Sequence, residues 1–195
     1  MSVPTWVVTS EPAIEPVSLT EIKEHCRVDH DEEDALLESF VKTARVMCER
    51  HTGRALITQT RVAYFDKWDD DFDLAGTPVQ SITSLKYFDR NATETTVSDT
   101  SYLLDAQRGE LVFKFGIAPP TLWLREVNPI QVTYVCGYGS TADTVPSPLR
   151  TAIKMMAAAL WEHREDVIIG QLALEAKVTA RGFDWLIGPY KVSFL

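Results

Sequence analysis

The sequence predicts an α+β fold, in which a small helical core is interrupted by a long, β-rich, antiparallel insertion. Apolar residues recur at helical spacing before residue 55 and after residue 145, and short β-branched and aromatic runs lie between them. The strand–helix alternation of a doubly wound sheet is missing. A length of 195 residues fits one domain, so we expect residues 17–55 and 145–195 to form its helical core and residues 56–144 the insertion.

Two helices are predicted in the first 55 residues. Ser18 and Glu21 have the spacing of a capping box, which predicts a short helix ending near Arg27, whereas the three prolines in residues 1–16 predict an extended arm. A longer helix should be capped by Asp31 and end at Gly53. Its apolar face is predicted to hold Leu36, Leu37, Phe40, Val41, Ala44, Met47, Cys48 and His51.

The middle of the chain reads as short strands separated by turns, and turns of this kind favour antiparallel pairing. An acidic turn is expected at Asp69–Asp73, and another turn at Gly137–Gly139. The predicted strands are Gln59–Phe65, Gln80–Phe88, Tyr102–Leu104, Glu110–Phe115 and Ile130–Cys136.

A third long helix is predicted to begin at Pro146-Ser-Pro148, since proline is tolerated in a first turn. Residues 166–182 fit either helix or loop, and Phe183–Ile187 reads as a further helical turn that stops at Gly188-Pro189. We expect the second and third helices to pack on each other. The side chains predicted at this contact are Phe40, Ala44, Met47, Ile153, Met156 and Leu160.

Composition excludes several classes of function. The net charge of −9, without a Lys/Arg cluster, disfavours tight binding to DNA or to an anionic membrane. The first residues lack the features of a signal peptide, and the longest apolar stretch is too short to span a bilayer, so we expect a protein used without export. An odd number of cysteines predicts free thiols at Cys26, Cys48 and Cys136.

The acidic run is the best candidate for a metal site. Asp69, Asp71 and Asp73 occupy positions 1, 3 and 5 of a calcium loop, but Leu74 stands where that loop needs glycine, and Gln80 where it needs glutamate. A solvated turn is the preferred interpretation, and the alternative is a small metal-dependent enzyme centred on Asp66–Asp73.

Other catalytic signals are weaker. The four histidines lack the spacing of a zinc-binding helix, and Gly137-Tyr-Gly139 lacks the third glycine of a phosphate loop. No nucleophile motif is found. We therefore expect no enzyme and no catalytic, cofactor or metal site. The histidines are His25, His30, His51 and His163.

Four stretches, in this order and spacing, resemble the head–tail connector (adaptor, head-completion) family of long-tailed phages, prophages and gene transfer agents. They are Pro16-Val-Ser-Leu-Thr-Glu-Ile-Lys-Glu-His-Cys-Arg-Val28; Asp31-Glu-Glu-Asp34 running to His51-Thr-Gly-Arg-Ala-Leu56; Thr133-Tyr-Val-Cys-Gly-Tyr-Gly139; and Val145-Pro-Ser-Pro-Leu-Arg150 through Leu160-Trp-Glu-His-Arg-Glu165, with Trp185-Leu-Ile-Gly-Pro-Tyr190 near the end.

The resemblance implies a structural virion protein at the head–tail junction, made in the cytoplasm of the bacterial host. Such a protein would form a homo-oligomeric, dodecameric ring that docks on the portal protein and receives a tail-side stopper or tail terminator. Duplex DNA would pass through its channel without sequence-specific binding, which a net acidic chain permits. No membrane is implied. Another neck or tail-completion protein is the alternative within the particle.

The last thirteen residues are dense in apolar side chains, which chain ends rarely expose unless something covers them. Connectors of the resembled family use this segment to engage the portal. We expect Phe183–Ile187 to close against the protein's own helices, and the remainder to reach the portal. The alternative is that the whole segment is core. The expected portal-binding residues are Tyr190, Lys191, Val192, Ser193, Phe194 and Leu195.

Overall fold

The computed structural model describes residues 5–120, 123–163 and 181–192. These residues form two compact units. Of the described residues, the helical unit contains 14–57, 139–163 and 181–192, and the β unit contains 5–13, 58–120 and 123–138. Helices and antiparallel sheets are both present, which confirms the predicted α+β class.

The helical unit is built on three helices, α1 (Leu19–Cys26), α2 (Asp34–Thr52) and α3 (Ser147–Glu162). Helices α2 and α3 pack on each other, as predicted, and α1 contacts both. Residues 181–187 form a further helical segment, the terminal helix, which confirms the predicted turn at Phe183–Ile187.

Helix α1 begins with the predicted capping box. The Glu21 amide donates to the Ser18 hydroxyl over 3.2 Å, and the Ser18 amide donates to the Glu21 carboxylate over 3.0 Å. The hydrogen bond from the Ser18 backbone, with help from Arg150, lowers the pKa of Glu21. Both reciprocal bonds satisfy donors that the first turn would otherwise leave unpaired.

The start of α2 differs from the prediction. The helix begins at Asp34, and its N-cap residue Glu33 makes no side-chain capping bond. The predicted cap, Asp31, instead binds the ammonium group of Lys23, which also contacts the Asp34 carboxylate at 2.7 Å. The Asp31 carboxylate, which was predicted to cap α2, is therefore engaged in an ion pair with Lys23 of α1. The predicted end at Gly53 is confirmed, with φ of 72° and a hydrogen bond to Glu49.

The buried face of α2 is shifted relative to the predicted apolar face. Phe40 and Met47 are only half-buried and His51 is exposed, while two charged residues lie inside. On α3, Ile153 is fully buried but Met156 and Leu160 are half-buried. The buried residues of α2 are Leu37, Val41, Ala44, Arg45, Cys48, Glu49 and Thr52.

The β unit contains one sheet of five strands and one of three, with antiparallel pairing throughout. The larger sheet has the order β1-β2-β8-β4-β5 and the smaller the order β3-β7-β6. The strands are β1 (Thr5–Ser10), β2 (Gln59–Phe65), β3 (Asp71–Asp73), β4 (Val79–Phe88), β5 (Glu94–Val97), β6 (Tyr102–Asp105), β7 (Glu110–Phe113) and β8 (Ile130–Cys136).

Strand β8 lies at the centre of the larger sheet, and every second side chain along it is buried. Its most enclosed aromatic residue, Tyr134, donates its hydroxyl proton to the Ala75 carbonyl over 2.8 Å. Burial raises the pKa of this phenol. The β unit also contains a cluster of aromatic rings in edge-to-face contact, formed by Phe65, Trp68, Phe72, Tyr87 and Phe113.

The cysteines are free thiols, as predicted. Cys48 and Cys136 are buried and Cys26 is partly exposed. Burial raises the pKa of the Cys48 thiol to about 12, so at neutral pH it is a protonated, unreactive group. Among the described residues, no helix is both long enough and apolar enough to cross a bilayer.

Candidate interaction surfaces

The terminal helix divides its side chains between the interior and the solvent. Phe183 and Ile187, four residues apart, are buried, whereas Trp185 is 79% exposed. Residues four apart lie on one helical face, and a residue midway between them points to the opposite side. The expected internal packing of Phe183–Ile187 is therefore correct at its two ends and wrong for Trp185.

Polar contacts fix the residues that follow to the end of α2. The Arg54 guanidinium donates to the Tyr190 carbonyl over 2.7 Å, and the Val192 amide donates to the Thr52 carbonyl over 2.8 Å. The His51 ring lies edge-to-face with Phe183 at 5.8 Å. Backbone and ring contacts thus hold this part of the chain in one place.

The side chains of these residues remain partly available. Tyr190 and Val192 are half-buried, and Lys191 is exposed, with its ammonium group 3.8 Å from the Asp184 carboxylate. Three of the residues expected to bind the portal, Ser193, Phe194 and Leu195, lie outside the described residues. Portal binding by Tyr190–Leu195 stays a prediction.

The acidic segment is only partly the turn that the sequence predicted. Asp69 and Asp70 are exposed, but Asp71–Asp73 is strand β3, which pairs with β7. Burial, followed by the neighbouring Asp71 charge, raises the pKa of Asp73. In the described part of the chain, no three or more His, Cys, Asp or Glu side chains are grouped as a metal site would require.

Replacing Asp69, Asp70 and Asp71 together with asparagine should leave the thermal unfolding midpoint independent of calcium. The reason is that exposed carboxylates spread along a turn and a strand do not enclose a cation. Differential scanning fluorimetry of both proteins, with calcium and with chelator, checks this. A midpoint that rises with calcium in the wild type alone would overturn it.

The other candidate residues do not converge on a site. His25, His30, His51 and His163 are all exposed, and His30 lies 3.0 Å from its near neighbour Glu32. Gly137, with φ of 124°, follows directly on β8 and receives no crossover helix, as its interpretation as a turn required.

The structure presents an exposed aromatic side chain that the sequence placed in a strand. Strand β7 ends at Phe113, and residues 114–117 form a turn closed by a 3.0 Å bond from the Ile117 amide to the Lys114 carbonyl. Phe115 lies at the tip of this turn and is fully exposed (108%). We call residues 114–117 the Phe115 turn.

The helical unit carries an open groove of about 680 Å³ beside the first turns of α1 and α2. Most of its lining residues are apolar, and Glu15, Glu38 and Lys42 supply charged groups. We call it the α1–α2 groove. Its apolar lining residues are Ile14, Val17, Leu19, Ala35, Val41 and Ala142.

Comparison with known proteins first supports the class of fold and then the family. A chain from the virion of a native gene transfer agent (GTA) particle is similar over 98% of this chain and 97% of its own, with a TM-score of 0.80 and 21% identity. A chain from the neck of an empty GTA particle, computed with C6 symmetry, has the same coverage and identity and a TM-score of 0.81. A third, from the neck of a native particle computed with C12 symmetry, has a TM-score of 0.71 and 22% identity, with 96% and 97% covered.

These similarities show that the chain has the fold found in those particles. Residues 16–105 match the model of the phage gp6-like head–tail connector protein family. The resemblance to the head–tail connector family is thereby confirmed. No curated protein matches the sequence.

Proposed function

We propose that this protein is a ring-forming head–tail connector, a structural and non-catalytic component of a phage-like particle. It acts as a single connector domain located at the head–tail junction of the virion, after synthesis in the bacterial host cytoplasm. The observation that carries the proposal is the similarity of fold over almost the whole chain to chains of GTA particles and their necks, together with the family match of residues 16–105.

The proposed assembly is a homo-oligomeric ring of twelve copies. One similar chain comes from a neck computed with C12 symmetry and another from a neck computed with C6 symmetry, which a ring of twelve also satisfies. The ring docks on the portal protein on one side and receives a tail-side stopper or tail terminator on the other. Closed cyclic symmetry requires the same pair of surfaces on every copy.

Duplex DNA passes through the centre of the ring in this proposal. A net charge of −9 disfavours retention of DNA through neutralised phosphates. Carboxylates along a channel would repel the backbone of the duplex and let it slide.

The proposed portal contact is the end of the chain, from Tyr190 to Leu195. Its described part combines a half-buried aromatic side chain at Tyr190 with an exposed cation at Lys191. Hydrogen bonds from Arg54 to Tyr190 and from Val192 to Thr52 already fix the backbone of this segment before it binds a partner. Binding then costs less conformational entropy. Trp185 adds an exposed aromatic side chain on the same short segment, and aromatic anchors contribute strongly to interfaces.

Truncation after Pro189 tests the portal contact. The shortened chain should fold, and should lose at least tenfold in affinity for isolated portal rings, because the binding side chains are gone. In infected cells it should leave DNA-filled heads without tails. Binding is measured by biolayer interferometry and folding by circular dichroism.

A double variant, Tyr190→Ala with Lys191→Glu, keeps the two backbone bonds to α2 and covers the case in which truncation unfolds the protein. Lys67→Glu, an exposed position in the β unit, is the matched control and should bind like the wild type. A folded double variant that binds portal rings with unchanged affinity would show that the segment is not the portal contact.

A further inference from the structure

We infer that the Phe115 turn of one copy docks in the α1–α2 groove of a second copy, and that this contact joins neighbours in the ring. The inference rests on the proposed function, since a ring needs a head-to-tail contact between two different surfaces of one chain. The first surface lies in the β unit and the second in the helical unit.

The Phe115 turn is built to present a side chain. Gly116, between Phe115 and Ile117, has φ of +82°, a backbone conformation that suits glycine, and an added Cβ would meet no atom within 4 Å. The Lys114 amide donates to the Ser101 carbonyl over 3.0 Å, which ties the turn to the residue just before β6. A hydrogen-bonded turn therefore holds a large apolar ring in water, which is the arrangement of an interface anchor.

The α1–α2 groove offers a place for that ring. Val17 and Val41 supply buried apolar lining, Leu19 is partly exposed, and Ile14 and Ala35 are exposed. Its volume of about 680 Å³ exceeds that of one phenyl ring, and leaves room for the neighbouring Ile117.

Charges support a second copy as the occupant. Lys114, beside Phe115, and Glu38, in the groove, have no ion pair among the described residues. Glu38 lines the groove together with Lys42, which already has an interaction partner of its own. A cation that arrives with the aromatic anchor can therefore pair with the Glu38 carboxylate, which favours this pairing over one between two like surfaces.

A mixing experiment tests the contact. Phe115→Ser removes the anchor and leaves the groove, whereas Ala35→Arg fills the groove and leaves the anchor. Each variant alone should associate at least tenfold more weakly than the wild type in sedimentation velocity of the full chain. Mixed, they should form dimers that grow no further, because each pair has one intact contact. Matched controls are Trp123→Ser, another exposed aromatic residue, and Thr151→Arg, an exposed position on α3.

A photo-crosslinker at position 115 provides an independent readout by mass spectrometry, and it should react with groove residues of a second copy. A wild-type protein that stays monomeric at its highest soluble concentration and forms no such cross-link would overturn the inference. The inference would also be overturned if Phe115→Ser lost association and mixing with Ala35→Arg did not restore it. The turn would then bind elsewhere on the second copy. If Phe115→Ser still self-associates but no longer binds the tail-side stopper, the Phe115 turn contacts the stopper and not a second copy.

These outcomes are separate from those of the portal experiment. A protein that binds portal rings but shows no contact between position 115 and the groove keeps the proposed function and loses this inference. A protein that self-associates through the contact but binds no portal loses the proposed function and keeps the contact.

Discussion

Replacing Arg45 with alanine is expected to lower the free energy of unfolding by about 3–5 kcal/mol. The Arg45 side chain is 2% exposed and donates to the Glu15 carboxylate over 2.7 Å and to the Glu49 carboxylate over 3.1 Å. Glu49 in turn accepts from the Leu56 amide over 2.9 Å. Loss of the cation removes a counter-charge from the buried Glu49 carboxylate, and it also removes the bond that ties Glu15, before α2, to this helix. Urea denaturation measures the change.

Two further variants test whether the lost buried charge pair explains the effect of Arg45→Ala. Arg50→Ala, at an exposed position of the same helix, should change stability by less than about 0.5 kcal/mol. The double variant Arg45→Met with Glu49→Gln should recover most of the loss, because glutamine keeps an acceptor for Leu56 and removes the buried negative charge. An Arg45→Ala protein within about 1 kcal/mol of the wild type would contradict the account.

Leu37→Ala and Leu149→Ala are each expected to cost about 2–5 kcal/mol. Both side chains are fully buried in the helical unit, one on α2 and the other on α3. Truncation there removes buried methyl groups and leaves a cavity that close-packed neighbours fill only in part. The denaturation midpoint should fall while the denaturant slope stays unchanged.

Phe40→Ala and Leu160→Ala are the matched comparison. The sequence placed both residues at the helix contact, where the same loss would be expected, but each is half-buried. Their cost should therefore be smaller than that of Leu37→Ala, although phenylalanine loses more atoms. A larger loss for Phe40→Ala than for Leu37→Ala would show that the buried face of α2 has been assigned wrongly.

Helices and their ends were predictable where local chemistry decides them. The capping box of Ser18 and Glu21, the stop at Gly53 and the proline start of α3 depend on residues a few positions apart. Asp31 was misassigned because its partner, Lys23, comes from another helix. The burial of Arg45 was not predicted for a similar reason: a buried arginine depends on carboxylates that the helical pattern does not reveal.

Strands were predictable where they are central and apolar. Strands β2 and β8 have the predicted bounds, since both carry alternating buried residues. The edge strands β1 and β5 were missed because β1 follows a proline and β5 is short and polar. The order of the strands could not be predicted from the sequence, because β8 lies between β2 and β4, which come much earlier in the chain.

The candidate surfaces were predictable in part. The apolar density after Phe183 indicated an interaction segment, and the structure separates its buried residues from the exposed Trp185. The Phe115 turn was missed because the apolar run from Leu111 suggested a longer strand. Gly116 was the one available signal, since glycine near the end of a strand often marks a turn.

Electron microscopy of the purified protein mixed with portal rings of the same particle shows whether the protein forms a ring on the portal. We expect an added ring of twelve copies on one end of the portal, with an open channel along the shared axis and residues from Tyr190 onward at the contact. Portal rings that remain bare at saturating protein, or copies that bind singly away from the axis, would contradict it.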